Sequence, residues 1–160
     1  MITVAAAPGA RPTMQFEFDT GAGGFTLDGI SGMSGDISNG ARNMDFGGDS
    51  ATKIVHNTEY AIGGQGLDLT SKAGQNSSGE IVRDNILKNI ALTDSDSTAH
   101  PAVNADNMLT SGGGGGGSNF RGTLLFAGGA GPTSYVGFLL RAGSPGSGRA
   151  SDGGNVGIRP

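Results

Sequence analysis

One residue in five of this chain is glycine, 32 of 160, and six of them stand in an unbroken row from Gly112 to Gly117. Glycine has no side chain to bury and loses the most backbone freedom on folding. Ordering a residue costs about 1–2 kcal/mol, and burial of apolar surface is what offsets it. Leu, Ile, Val and Phe together supply only one fifth of the chain. That is the border below which chains tend to stay disordered, although the net charge of −4 is too small to enforce disorder. The expectation is a thin-cored, loop-rich protein that neighbours help to order, as part of a larger assembly.

Length allows one domain with appended arms. Residues 1–12 and 142–160, rich in Gly, Ala, Ser and Pro, read as extended arms around a core at 13–141. There is no cysteine and no tryptophan. A thin-cored secreted domain usually carries disulfides, so this composition suits a reducing compartment. A pI near 4.9 speaks against a nucleic-acid partner. No apolar run approaches the ~18 residues of a membrane span. The N-terminal Met1–Ala10 stretch lacks the basic start of a secretion signal and reads as an arm.

Alternation of apolar and polar residues predicts strands at Met14–Phe18 and Phe25–Ile30, joined as a hairpin by the turn Asp19–Gly24. Further short strands are expected at Asn43–Phe46, Lys53–Val55, Tyr60–Ile62 and Gly66–Leu69. One helix is predicted at 78–92. Ser77 and Glu80 fit a capping box, and Val82, Ile86 and Ile90 recur every four residues with Leu87 beside them. A glycine-rich loop at 111–118 precedes two strands, Arg121–Ala127 and Ser134–Arg141, apolar on both faces and expected to pair. The predicted fold is mostly β: a small sandwich or barrel, jelly-roll-like, with one α-helix.

Candidate chemistry is sparse. Gly112–Ser118 and Gly128–Ser134 lack the Gly-Lys-Ser/Thr ending of a phosphate loop and read as flexible or packed loops. His56 and His100 are the only histidines, which gives no zinc set. Asp45 with Asp49, or Asp94 with Asp96, could join a calcium shell but have no EF-hand spacing; solvated turns are the plainer reading. Tyr60 and Tyr135 are candidate sugar platforms, or partly buried strand residues with a wet hydroxyl. No catalytic, cofactor-binding or metal residue is assigned, and no cofactor is expected.

Three resemblances follow from these residues. Asp19-Thr20-Gly21-Ala22, with Gly137-Phe138-Leu139-Leu140 further on, resembles the retroviral-type aspartic proteases, which would make Asp19 one of a pair of catalytic carboxylates. Glu17 interrupts the apolar strand that family needs, and a hairpin turn explains the same residues. Phe16-Glu17-Phe18-Asp19-Thr20-Gly21, followed by Phe25-Thr26-Leu27, resembles the opening of jelly-roll carbohydrate-binding or adhesin modules, including those of phage tails. In overall character, a β core between arms without cysteine, the chain resembles bacteriophage capsid decoration (cement) proteins. That last resemblance implies a non-enzymatic virion protein assembled in the host cytoplasm. Its partners would be the major capsid protein and copies of itself, as a homotrimer, with no nucleic acid and no membrane.

Overall fold

Among the described residues every strand pairing is parallel, and the strands are only two to four residues long. The computed structural model describes residues 26–28, 42–45, 52–60, 65–70, 78–93, 98–112 and 116–160. Four strands, β1 (Thr26–Asp28), β3 (Lys53–Val55), β5 (Ile81–Arg83) and β8 (Val103–Ala105), form one sheet in the order β1-β3-β5-β8. A second sheet runs β2-β4-β7, from Arg42–Asp45, Gln65–Asp68 and Ile90–Ala91. The third runs β10-β9-β6, from Phe120–Arg121, Met108–Leu109 and Ile86–Leu87, and an isolated parallel bridge joins Thr58 to Ile86. The chain visits the sheets in rotation, and each circuit stacks on the one before. This is the path of a parallel β-solenoid, in which each rung lies ~4.8 Å from the next.

Stacking in register makes columns. Ile54 lies beside Val82, Leu67 beside Ile90, and Leu87 beside Leu109. All six point inward and, with Leu69 and Ala99, form the solenoid core. The third sheet separates two cores. Leu87 and Leu109 face the solenoid interior, while their strand neighbours Ile86 and Met108 face outward into a second cluster with Phe126, Phe138, Leu140, Ala150, Val156 and Ile158. Residues 122–158 therefore form a layer over the outside of that sheet. Tyr60, Phe126 and Phe138 pack edge to face, with centroids 5.5–5.7 Å apart. Each such pair adds about 0.5–1.5 kcal/mol beyond its buried area.

The mostly-β expectation holds, but the sheets do not close into a barrel. Their parallel pairing also differs from the antiparallel hairpins of a jelly roll or sandwich. The helix expected over 78–92 is replaced by β5, β6 and β7. Val82 and Ile90 do share a core, but Ile86 between them faces the other way. The four-residue spacing comes from two corners in one coil, not from a helical stripe. Among the described residues the only helix is a 3-10 turn, Val136–Phe138. It replaces most of the strand expected at Ser134–Arg141, which meets its expected partner only at the antiparallel bridge Phe126–Leu140. Lys53–Val55 is a strand as expected, and Asn43–Phe46 and Gly66–Leu69 are met within one residue at each end. Thr26–Asp28 is a strand too, but it pairs in parallel with β3; Met14–Phe18 and the arm at 1–12 lie outside the described residues. Residues 142–160, read from composition as an arm, fold back onto the solenoid, with Ala150, Val156 and Ile158 buried.

Candidate functional site

Between the first and third sheets each coil turns a corner in two residues. The first of them, His56, Asp84 or Asp106, has positive φ of 55°, 61° and 56°. Among non-glycine residues, Asp, Asn and His tolerate this left-handed conformation best. The second is asparagine each time, Asn57, Asn85 and Asn107, and Asn119 continues the column one rung on. Each of the first three donates both its amide N–H and its Nδ2 to the Oδ1 of the next: Asn57 to Asn85 at 2.9 and 3.1 Å, Asn85 to Asn107 at 3.1 and 2.9 Å, Asn107 to Asn119 at 3.0 and 2.9 Å. Asn85 Nδ2 also donates to the Ile54 and Arg83 carbonyls, both at 2.8 Å. Buried polar groups are costly unless paired, and this ladder satisfies the corner while holding every rung in one register.

The corner also pins the outer layer. Asp84 is fully buried and accepts from the Ser151 amide and hydroxyl, both at 2.6 Å. Its carbonyl accepts from Gly157 N–H at 2.7 Å, and Thr58 Oγ1 accepts from Ile158 N–H at 3.1 Å. Arg159 Nε donates to His56 Nδ1 at 3.0 Å and its Nη2 lies 2.8 Å from Asp152 Oδ2. The Gly154 amide, helped by Arg159 and His56, holds the Asp152 carboxyl below its ordinary value.

The solenoid end is finished in polar residues. Asn104 takes the place that Val82 holds one rung earlier, and Arg121 the place of Leu109. Asn119 Nδ2 donates to Asn104 Oδ1 at 2.7 Å, and Arg121 Nη2 donates to the Gly112 carbonyl. The glycine tract starts against Asn89, where a Cβ on Gly112 would lie 2.8 Å from the Asn89 Cβ. It ends with Gly117 against the Asn104 carbonyl. Its two described ends thus sit in the neighbourhoods of different strands, close enough to Cβ or backbone that a side chain would collide.

Among the described residues two regions combine exposed charge with apolar or aromatic side chains. The outer face of the first sheet places Val55, Ile81, Val103 and Ala105 half-buried, with Lys53 and Arg83 exposed beside them. The C-terminal third of the chain is rich in arginine. Residues 107–160 hold four arginines against one aspartate, Asp152, in a chain of net charge −4. Arg121, Arg141 and Arg149 are exposed, and Arg149 lies 3.9 Å over the Phe120 ring.

The sequence-level candidates fall as follows. Tyr60 is packed in the aromatic trio and donates to the Ala130 carbonyl. Tyr135 is 45% exposed, and its hydroxyl donates to the Arg159 carbonyl at 2.9 Å. Gly128–Ser134 is a packed turn, with Gly128 against the Gly137 backbone and Pro132 buried. His56 belongs to the corner, and His100 bridges to Ser78. Asp45 ends β2, while Asp19, Asp49, Asp94 and Asp96 lie outside the described residues. Among the described residues no three His, Cys, Asp or Glu side chains cluster as a metal site would. The asparagine ladder escaped the sequence reading, although the recurring pairs His56-Asn57, Asp84-Asn85, Asp106-Asn107 and Ser118-Asn119 announce it. The chain matches no protein-family model, no curated protein and no solved structure.

Proposed function

We propose that this chain is a non-enzymatic carbohydrate-binding module of the adhesin kind, carried as a structural part of a virion surface such as a phage tail. The observation that carries this reading is the outer face of the first sheet. Parallel register sets Lys53 beside Ile81 and Val103, and Val55 beside Arg83 and Ala105. A flat face that repeats its contacts at a fixed rung spacing suits an extended polymer better than a compact ligand. Half-exposed apolar side chains flanked by cations give such a polymer both a surface to lie on and groups to bond. The test is a glycan array on the full chain and on a double variant, Ile81→Ser with Val103→Ser. The wild-type chain should give a defined set of signals that the variant loses. A folded wild-type chain that binds no glycan overturns the reading.

A second reading is favoured by the polar finish at Asn104 and Arg121. A solenoid ended in this way resists end-to-end stacking on another copy, so partners meet its sides. That geometry suits a capsid decoration protein that bridges capsid subunits as a homotrimer. Light scattering should then give a trimer, and the trimer should co-sediment with purified phage heads; a monomer that stays in the supernatant contradicts it.

A further inference from the structure

The outer face of the first sheet offers hydrogen-bond donors without acceptors. Alternation turns Lys53, Val55, Ile81, Arg83, Val103 and Ala105 outward, and Asn104, the one amide on these strands, lies in the inward column of Ile54 and Val82. Lysine and arginine carry only donors. A sugar hydroxyl gives a hydrogen bond as well as taking one, and no carboxylate, amide or aromatic side chain of β3, β5 or β8 stands on this face to receive it. Among the described residues no carboxylate lies in ion-pair range of Lys53. The Arg83 side chain is 48% exposed, and its carboxylate neighbour, Asp84 at 3.7 Å, already accepts twice from Ser151. Asp28 holds the β1 place in the column of Val55 and Arg83, so the cationic part of the face lies on β3 and β5.

We propose that this face binds an acidic polysaccharide, with Lys53 and Arg83 each holding an acid group on a separate sugar unit. The inference rests on the carbohydrate reading above and names the class of glycan. Register places the two cations one rung and two residues apart, about 8 Å between Cα positions at ordinary strand spacings. A small ligand with a single acid group meets only one of them; a polymer with acid groups on successive units meets both. The Arg83 guanidinium matches acid oxygens with a planar fork of donors, and the Lys53 ammonium acts as a point charge. Val55, Ile81, Val103 and Ala105, all half-buried, fill the face around them and give the apolar sides of sugar rings a floor. Nucleic acid is the less favourable polyanion. Two cations neutralise little of a duplex that carries about one charge per 1.7 Å, and a chain of net charge −4 repels it. Nor does an aromatic ring of β3, β5 or β8 stand on the face to stack on a base.

The test uses the full chain with alginate as the carboxylated probe and dextran sulfate as the sulfated one. Dextran is the neutral probe and a DNA duplex the competing polyanion, at about 20 and about 300 mM NaCl. At least one acidic probe should bind in low salt and lose about tenfold or more in high salt. Lys53→Gln with Arg83→Gln should weaken that binding by about tenfold or more. Lys53 makes no ion pair among the described residues, so Lys53→Gln alone removes charge without touching the Asp84 corner; it should weaken binding about threefold at unchanged thermal stability. Arg141→Gln removes one charge from the layer over the third sheet and should leave binding within about twofold; a loss equal to that of Lys53→Gln overturns the assignment to this face. Neutral glycans bound as tightly as the acidic ones, here or on the array, overturn the acidic-glycan inference and leave the carbohydrate reading standing. Failure to bind any glycan, on these probes and the array, overturns both. DNA bound more tightly than either acidic probe overturns this inference in favour of a nucleic-acid surface.

Discussion

Asn85 carries more of the fold than any apolar side chain of its size could. It is fully buried, and its side chain makes five hydrogen-bond contacts with neighbours on both sides of the ladder. Asn85→Ala removes the acceptor of the Asn57 amide N–H and a donor to the Ile54 and Arg83 carbonyls. With roughly 1–3 kcal/mol for each buried group left unpaired, a loss of about 3–5 kcal/mol is expected in urea denaturation, against under 1 kcal/mol for an exposed substitution such as Thr110→Ala. Glu80 is the opposite case. It is fully buried and neither carboxyl oxygen has a partner. Burial pushes its carboxyl above the ordinary value, and the nearby amides of Glu80 and Ser78 with His100 offset only part of this. A raised folded-state value means the protonated form fits the fold, so its stabilisation is present at low pH and is lost as pH rises through that value. Stability should therefore fall as pH rises above the ordinary glutamate value, and Glu80→Gln should flatten that slope and raise stability at neutral pH. A wild-type slope of opposite sign, unchanged by the substitution, contradicts this account. The capping-box reading of the same glutamate fails because its side chain turns inward with Val82, two residues on, instead of back along a helix.

At the level of elements, the short strands were legible where alternation was local. Lys53–Val55 is a strand as its pattern predicts, and β2 and β4 match within one residue at each end. The coil at 81–91 was not legible, because a solenoid breaks both simple periods. One strand residue, a left-handed aspartate and an asparagine separate Val82 from Ile86, and this mimics a helical spacing while sending the two side chains into different cores. The circuits also differ in length, so no constant repeat appears in the sequence. The outer layer escaped for another reason: several of its glycines, Gly122, Gly128, Gly146 and Gly157 among them, are packing positions rather than linker residues. A Cβ on Gly146 would lie 2.5 Å from Val156 Cγ2 and 2.8 Å from Leu140 Cδ1. Gly146→Val should cost about 1–3 kcal/mol through overpacking and should expose Ile86 and Met108 to a hydrophobic dye. Gly143→Ala, which meets open space but at φ +82°, should cost less.

At the scale of the whole molecule, a sparse apolar composition suffices because the chain divides it between two small cores on either side of one shared sheet. Composition alone suggested that neighbours must order such a chain. For residues 142–158 the order comes instead from Asp84, Thr58 and the outward side chains of the third sheet. The candidate surfaces were only faintly legible. The excess of arginine after residue 106 is plain in the sequence, but where each arginine lies depends on the fold of the outer layer. The register of the rungs is the claim on which the fold and the outer face both depend. Nuclear Overhauser contacts between backbone protons measure it directly. The predicted result is a run of contacts across rungs from Ile54 to Val82 and from Val82 to Asn104, with extended-chain contacts through 81–83. A ladder of contacts between residues three apart through 81–90, with none from Val82 to Ile54 or Asn104, would contradict it and return that segment to a helix.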